Sequence, residues 1–409
     1  MTVATDLPKW RLILALAALF LSSMCTMGDL VISPIVSNIY EVFGDQSEFL
    51  VNLGITGPAI VGLPFGLAAG FLCDRVDKKL VMVVGFTIFT LSSVFGIAYE
   101  NLYWFVVMRQ LATGVGWGIT NTAALSILAD LFVDKGEHGK YVGWYNAAMS
   151  VIGALLAIVA GNLALSGWQN AYHTYIAAIP VLVMLVVFLP SFPPLGKALA
   201  DEESRASEDA STSDATVDGL WWKKLVPLSL QVLVVACCYY VILYMISIYV
   251  VDSGAGDEAF TGLLTSVMTI SSAIGSMLFG MAYERFRTAV YLPTLFVIAC
   301  AFFVLAFVPI APVIVVTLAV AGFSWPFFFC YFYSHCTAVS PANKAGTATS
   351  IVAAANGIAV TASSYLLMGS ISATGGTSLT VYPAFGVVMI AVGVISTCAY
   401  VITRKKSRV

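Results

Sequence analysis

Residues 70–79 read Gly-Phe-Leu-Cys-Asp-Arg-Val-Asp-Lys-Lys, and this stretch lies between two long apolar runs. Asp74, Arg75, Asp77, Lys78 and Lys79 cannot lie in hydrocarbon, so the chain must meet water here. Gly70 allows close packing against the end of the preceding helix. A related stretch returns 210 residues later, with Gly280, Glu284 and Arg285 at the offsets of Gly70, Asp74 and Arg75. The recurrence predicts two related halves, each with a charged turn between its second and third spans.

The apolar runs set the solvent. The chain of 409 residues is 60% hydrophobic and 10% charged, against about 25% charged for a soluble domain. A bilayer is the only solvent that suits this composition. Continuous apolar runs of about 20 residues point to helices rather than alternating barrel strands. The expected fold class is an all-α membrane protein of twelve transmembrane helices in two pseudo-symmetric six-helix bundles. Spans 1 to 12 are expected near residues 12–39, 48–72, 79–98, 102–128, 140–165, 172–191, 224–251, 259–282, 288–308, 312–336, 346–370 and 381–402. The first run is too long for a cleaved signal peptide and is read as retained. Residues 1–192 form the N-terminal bundle, 193–222 an acidic cytoplasmic linker, and 223–409 the C-terminal bundle with a basic tail.

Orientation follows from the basic residues. With both termini in the cytoplasm, that side receives Lys9, Arg11, Arg75, Lys78, Lys79, Lys135, Lys140, Lys197, Arg205, Lys223, Lys224, Arg285, Arg287, Lys344, Arg404, Lys405, Lys406 and Arg408, which is 18 of 19. The nineteenth, Arg109, lies within span 4. External loops hold only acids: Glu41, Asp45, Glu48, Glu100, Asp252, Asp257 and Glu258. They either concentrate cations at the mouth or simply follow from the exclusion of positive charge. Location in a cell membrane, plasma or inner, is expected.

The chemistry of an enzyme is missing. Three histidines are scattered, and the eight cysteines fall in or beside spans, as small apolar fillers do. No metal-ligand spacing, phosphate loop or nucleophile elbow is present. No cofactor is expected beyond a proton gradient. The expected partners are the bilayer, a small-molecule substrate and protons, with no nucleic acid, and the chain is expected to act as a monomer.

Ionisable groups within spans are the candidates for function. In span 1, Ser22, Cys25, Asp29 and Ser33 fall on one helical face, with a bend expected at Pro34. In span 4, Arg109, Thr113, Gly116 and Thr120 share a face. Arg109 lies about 10 Å and Asp29 about 15 Å inward from the outer ends of their helices. At similar depth, each needs a partner, and the two are expected to pair. Burial disfavours a charged carboxylate while a nearby guanidinium favours it, the tension that a proton-coupling acid requires. A static structural ion pair is the alternative. Offset by 210, Asp29 maps to Tyr239, Arg109 to Ala319 and Asn146 to Asn356, so the framework is duplicated but the ionisable chemistry is confined to the first half. Trp117, Asn146, Gln231, Tyr239, Trp325 and Asn356 are expected to line a substrate cavity, where aromatic faces suit planar compounds.

These features resemble the major facilitator superfamily across residues 10–403. Gly70, Asp74, Arg75, Lys78 and Lys79 match that family's signature between spans 2 and 3, with Asp77 in place of its usual glycine. The resemblance implies a cytoplasmic gate made of Gly70, Asp74, Arg75, Lys78, Lys79, Asp130, Glu284 and Arg285. In it, Asp74 faces the region from Lys344 to Gly346 and Arg75 meets Asp130. Arg109 to Gly116 is similar to the span-4 signature of the family's proton-coupled drug exporters. Their span-5 Gly-Pro pair is absent, since Gly153 to Gly161 holds no proline. The expected function is secondary transport by rocking of two halves around a cavity, as proton-coupled export of hydrophobic or aromatic compounds. Symport or facilitated uptake of a small metabolite such as an organic anion remains the alternative, with Arg109 binding the substrate carboxylate.

Overall fold

A computed structural model describes residues 8–97, 101–132, 135–192, 221–340 and 345–406. Among these the chain is helical throughout, in twelve successive stretches: 9–43, 48–73, 78–97, 102–131, 135–164, 168–188, 221–253, 258–286, 292–307, 311–339, 345–374 and 378–406. They take the names span 1 to span 12. Seven contain single helices long and apolar enough to cross a bilayer, and spans 1 and 2 do so as bent pairs. Span 3 carries a 17-residue helix from Lys78 to Val94, span 4 is interrupted by a π segment from Gln110 to Gly116, and span 9 is the 16-residue helix Leu292–Phe307. Residues 193–220, the expected linker apart from Trp221 and Trp222, lie outside the described residues.

Polar residues in the connections explain where helices start. Ser47, Asp77, Asn101 and Asp257 each accept a hydrogen bond from a backbone N–H of the following first turn. Such N-caps satisfy donors that the helix itself leaves open. Asp252 does the same across space, accepting from the Ser378 N–H at 2.7 Å at the start of span 12. Two of the loop acids thus have a structural task.

The described residues divide into two compact units, one ending at 192 and one beginning at 221. Packing repeats between them. In the first, span 1 packs on span 5, span 2 on span 4 and span 3 on span 6; in the second, span 7 packs on span 11, span 8 on span 10 and span 9 on span 12. Large apolar side chains such as Leu67, Met277 and Ile395 point outward, as suits a surface solvated by lipid.

Lipid gives helices no hydrophobic reason to associate, so close backbone approach matters. A Cβ added at Gly118 would run into the Gly62 carbonyl. In the second unit a Cβ at Gly275 would strike the Phe323 carbonyl, and one at Gly322 the Met268 carbonyl. Gly275→Ala is therefore expected to force spans 8 and 10 apart and destabilise the protein by about 1–3 kcal/mol. Thermal unfolding in detergent measures this, and an unchanged midpoint would refute the contact. A reverse effect is expected at the turn after span 8. Arg287 ends that span at φ 50°, ψ −129°, a conformation that only glycine adopts readily. Arg287→Gly is expected to raise stability by about 1 kcal/mol, read from the same unfolding curves.

Candidate functional site

Asp29 owes its position to a break in span 1. The arms Trp10–Cys25 and Gly28–Phe43 meet at 55°. Met27 leaves helical geometry at φ −98°, ψ 8°, and the chain resumes as a short 3-10 turn from Gly28 to Val31. The main bend thus lies before Asp29 rather than at Pro34, which opens a separate 3-10 turn. The reason is the surroundings: Gly153 of span 5 accommodates Met27 and Leu30, and Gly28 fits against Phe89 and Thr113. In the 3-10 turn the Ile32 N–H bonds to the Asp29 carbonyl, and the Gly28 carbonyl accepts the Tyr175 hydroxyl at 2.7 Å.

Arg109 closes on Asp29. Its Nη2 lies 2.5 Å from Asp29 Oδ1. The guanidinium is 3% exposed and the Asp29 side chain 19%. Two further acceptors come from span 2: Arg109 Nε donates to the Gly54 carbonyl at 3.2 Å and Nη2 to the Ile55 carbonyl at 3.4 Å. The neighbouring Gln110 Nε2 donates to the Leu53 carbonyl at 2.7 Å. Tyr172 and Tyr175 of span 6 lie near the guanidinium. Removing one partner of such a buried pair is far more costly than the pair is worth. Ser22, Cys25 and Ser33 of the expected polar face are buried, as are Thr113, Gly116 and Thr120 on span 4.

The charged turn is organised within the first unit as follows. Asp77 Oδ1 accepts from the N–H groups of Lys79 at 2.8 Å and Phe192 at 3.0 Å, and Oδ2 accepts from the Ser191 hydroxyl. The Lys78 N–H returns a bond to the Phe192 carbonyl. Asp77, which stands where the signature has glycine, so fastens the turn to the end of span 6. Burial opposes its ionisation, but the bonds from Ser191, Phe192 and Lys79 outweigh this and hold its carboxyl below the usual range. A folded-state value below the unfolded one means this fastening is intact above the ordinary carboxylate range. It is lost as pH falls through the depressed value.

Asp130 meets Lys78 Nζ at 2.7 Å. The expected pairing with Arg75 is not formed. The Arg75 guanidinium instead stacks 3.6 Å above the Phe71 ring, where a cation is attracted by the ring face. Lys78 opens span 3 beside span 4, which brings its ammonium to Asp130. Asp74 is exposed, and a Cβ added at Gly70 would meet Thr122 only at 3.8 Å, an ordinary contact. Lys344, in the expected counterpart of Asp74, lies outside the described residues. Glu284 and Arg285 are exposed and form no ion pair among the described residues, and Gly280 faces open space.

The second unit replaces the ion pair with aromatic packing. Tyr239, at the repeat position of Asp29, stacks on Trp325 with centroids 4.0 Å apart and planes at 5°. Both are buried, so the facing surfaces cover one another. Tyr240 packs edge-on against the same indole, and its hydroxyl donates to Asn356 Oδ1 at 3.3 Å. Three expected cavity residues are thereby brought together. Gln231 is not among them, because its Nε2 donates to Ser396 of span 12 at 2.8 Å. Eight residues before Tyr239, it sits on a different arc of span 7 and serves helix packing. In the first unit Asn146 is exposed, while Trp117 is half-buried against Gly62.

Tyr172, Tyr175 and Gln110 were not expected at this site. The Gly57-Pro58 pair signals only the Arg109 acceptor, since proline frees the Gly54 carbonyl one turn earlier. Among the described residues no cluster of three His, Cys, Asp or Glu could hold a metal ion.

Twelve helical stretches, a duplicated packing plan and an ion pair within the spans define a multi-pass membrane protein built as a transporter. The sequence profile of the Major Facilitator Superfamily matches residues 15–364, and the chain belongs to that superfamily. The transporter mfc1 of Schizosaccharomyces pombe is 26% identical over 220 residues, covering 50% of this chain and 43% of that protein. A methylenomycin A resistance protein of Bacillus subtilis is 30% identical over 107 residues, covering 26% of this chain and 23% of its own length. The chain thus spans less than half the length of each of these relatives. A solved bacterial homologue of the human lysosomal transporter Spinster, inward-facing and unoccupied, superposes with a TM-score of 0.72 at 16% identity, covering 96% of both chains. That likeness concerns the fold.

Proposed function

We propose that this superfamily member is a proton-coupled exporter of hydrophobic or aromatic compounds, working by alternating access. The observation that carries the reading is the Asp29–Arg109 pair, a carboxylate and a guanidinium 2.5 Å apart within the spans. An ionisable acid within the spans, facing a cation, is a functional-site candidate for taking and releasing a proton. Arg109 tunes that acid. Because Arg109 is already held by Asp29, Gly54 and Ile55, it is a poor candidate for binding a substrate carboxylate, which weighs against uptake of an organic anion.

Substrate contacts are assigned to Asn146 and Trp117 in the first unit and to Tyr239, Trp325 and Asn356 in the second. Gating is assigned to Gly70, Asp74, Arg75, Lys78, Lys79 and Asp130, with Glu284 and Arg285 as their repeat counterparts. The reading has a monomer in a cell membrane, with both termini in the cytoplasm as the distribution of Lys and Arg favours. Resemblance to a resistance protein supports export. The test is efflux of a lipophilic aromatic dye from energised cells producing the protein. Faster efflux that stops when a protonophore collapses the gradient is expected. Gradient-driven accumulation of dye inside the cells would overturn the direction.

A further inference from the structure

Three consecutive backbone carbonyls of span 2, those of Leu53, Gly54 and Ile55, accept side-chain hydrogen bonds from Arg109 and Gln110 of span 4. They sit at the 45° bend between Glu48–Thr56 and Pro58–Cys73. Pro58 has no N–H, so the Gly54 carbonyl has no helical donor four residues on. Arg109 Nε occupies that place. The Leu53 carbonyl takes the Gly57 N–H at 3.0 Å and the Gln110 carboxamide at 2.7 Å. Glycine at 57 leaves room for this approach, since a Cβ there would run into the Leu53 carbonyl oxygen and stand 2.9 Å from Gln110 Nε2. Gln110 is also the first residue of the π segment in span 4, a distortion that recurs at functional sites.

From this juxtaposition we infer that Gln110 is a positioning residue for proton coupling and that, with Pro58, it links the charge state of Asp29 to the bend of span 2. The inference rests on the proton-coupling reading of Asp29. Arg109 divides its donors between one carboxylate and two carbonyls, and its buried Nη1 has no acceptor. When Asp29 takes up a proton, the guanidinium loses its only full counter-charge among the described residues around it. Asp29 then offers only a neutral acceptor, comparable with the dipoles of the Gly54 and Ile55 carbonyls, so the share of the guanidinium's attraction that falls on the bend increases. Gln110 carries no charge and does not titrate. It holds Leu53 while its neighbour's attraction changes, and so provides a fixed point about which the bend moves.

The arm beyond the bend carries the motion to the charged turn. Pro58–Cys73 has 16 residues, about 24 Å at about 1.5 Å each. Each degree of change at the bend then displaces its far end by about 0.4 Å, by the same length. The titratable groups around Asp29 are Cys25 on its own span, Arg109 on span 4 and Tyr175 on span 6, with Tyr172 near Arg109 and Tyr145 of span 5 near Cys25. Asp29 is the one carboxylate among them.

Amide hydrogen exchange of the full chain in lipid nanodiscs, at one fixed pH, tests the inference. Asp29→Asn stands for the protonated state. In otherwise native protein it is expected to change exchange of residues 70–79 by about fivefold, the scale of a typical coupling. Pro58→Ala restores an N–H that competes for the Gly54 carbonyl, and Gln110→Leu removes the fixed point. Either background is expected to reduce the response to Asp29→Asn below about twofold. Gln110→Leu alone is expected to lower the maximal gradient-driven rate about tenfold with KM little changed, and Gln110→Asn to restore part of that rate. A response of the same size in all three backgrounds, or none in the native background, overturns the inference. Failure of the proton reading is a separate result: gradient-driven transport by Asp29→Asn itself.

Discussion

Asp29→Asn is expected to abolish proton-driven transport while leaving the protein folded and inserted. The carboxamide oxygen can still accept from Arg109 Nη2, so the geometry at 2.5 Å has a neutral substitute. What disappears is the exchangeable proton. In sealed vesicles, one pH unit across the membrane supports an accumulation ratio of about ten at one proton per substrate. The native protein is expected to approach that ratio, and the variant to equilibrate its substrate at a ratio near one. Proton movement dependent on substrate, followed with a pH-sensitive dye in the vesicle lumen, should vanish together with accumulation. Full gradient-driven accumulation by the variant would remove Asp29 from the mechanism and leave the pair as a structural bridge.

Arg109→Met is expected to have the largest effect on stability, a loss of about 3–5 kcal/mol. Methionine fills much of the volume but donates no hydrogen bond. It leaves the Asp29 carboxylate without its cation and the Gly54 carbonyl without the donor that Pro58 denies it. A second substitution, Asp29→Asn, removes the stranded charge and should recover a substantial part of the loss, so the two changes are not additive. Lysine at 109 should fall between, because an ammonium can meet the carboxylate but has no fork with which to reach span 2 as well. Unfolding midpoints of the two single variants and the double variant in detergent provide the cycle. Equal and additive losses would mean that the two side chains do not act as a pair.

Much of this architecture is legible in the order of residues because a bilayer imposes a strong and local rule. Runs of about 20 apolar residues, interrupted by charge, reveal spans wherever they occur. The repeat of Gly70, Asp74 and Arg75 at Gly280, Glu284 and Arg285 reveals duplication, which the packing of span 2 on span 4 and span 8 on span 10 repeats in three dimensions. Asp29 and Arg109 stand out for the same reason: a charge within a span is expensive and requires a partner.

The partners themselves were less legible. Asp130 was expected to meet Arg75 and meets Lys78. Gln231 was expected beside a cavity and instead bonds to Ser396. Each depends on how one helix is rotated against another, which apolar composition leaves open. Asp77 reads as a departure from a signature, and only the folded chain brings Ser191 and Phe192 to it from 114 and 115 residues away.

The sequence by itself determined the helical class, the spans, their pairing into two related halves and the two intramembrane charges. All of these follow from hydropathy and local spacing. The pairing of Asp29 with Arg109 was expected from their depth; the tertiary structure alone decided that Arg109 also grips the bend of span 2, that Tyr175 takes the Gly28 carbonyl, and that aromatic stacking replaces the ion pair in the second unit. The first-unit contacts arise where regular helices break, at Met27, at Gly57-Pro58 and at the π segment after Arg109. A broken ladder frees carbonyls, and which distant side chain reaches them is set by packing between spans rather than by any local pattern.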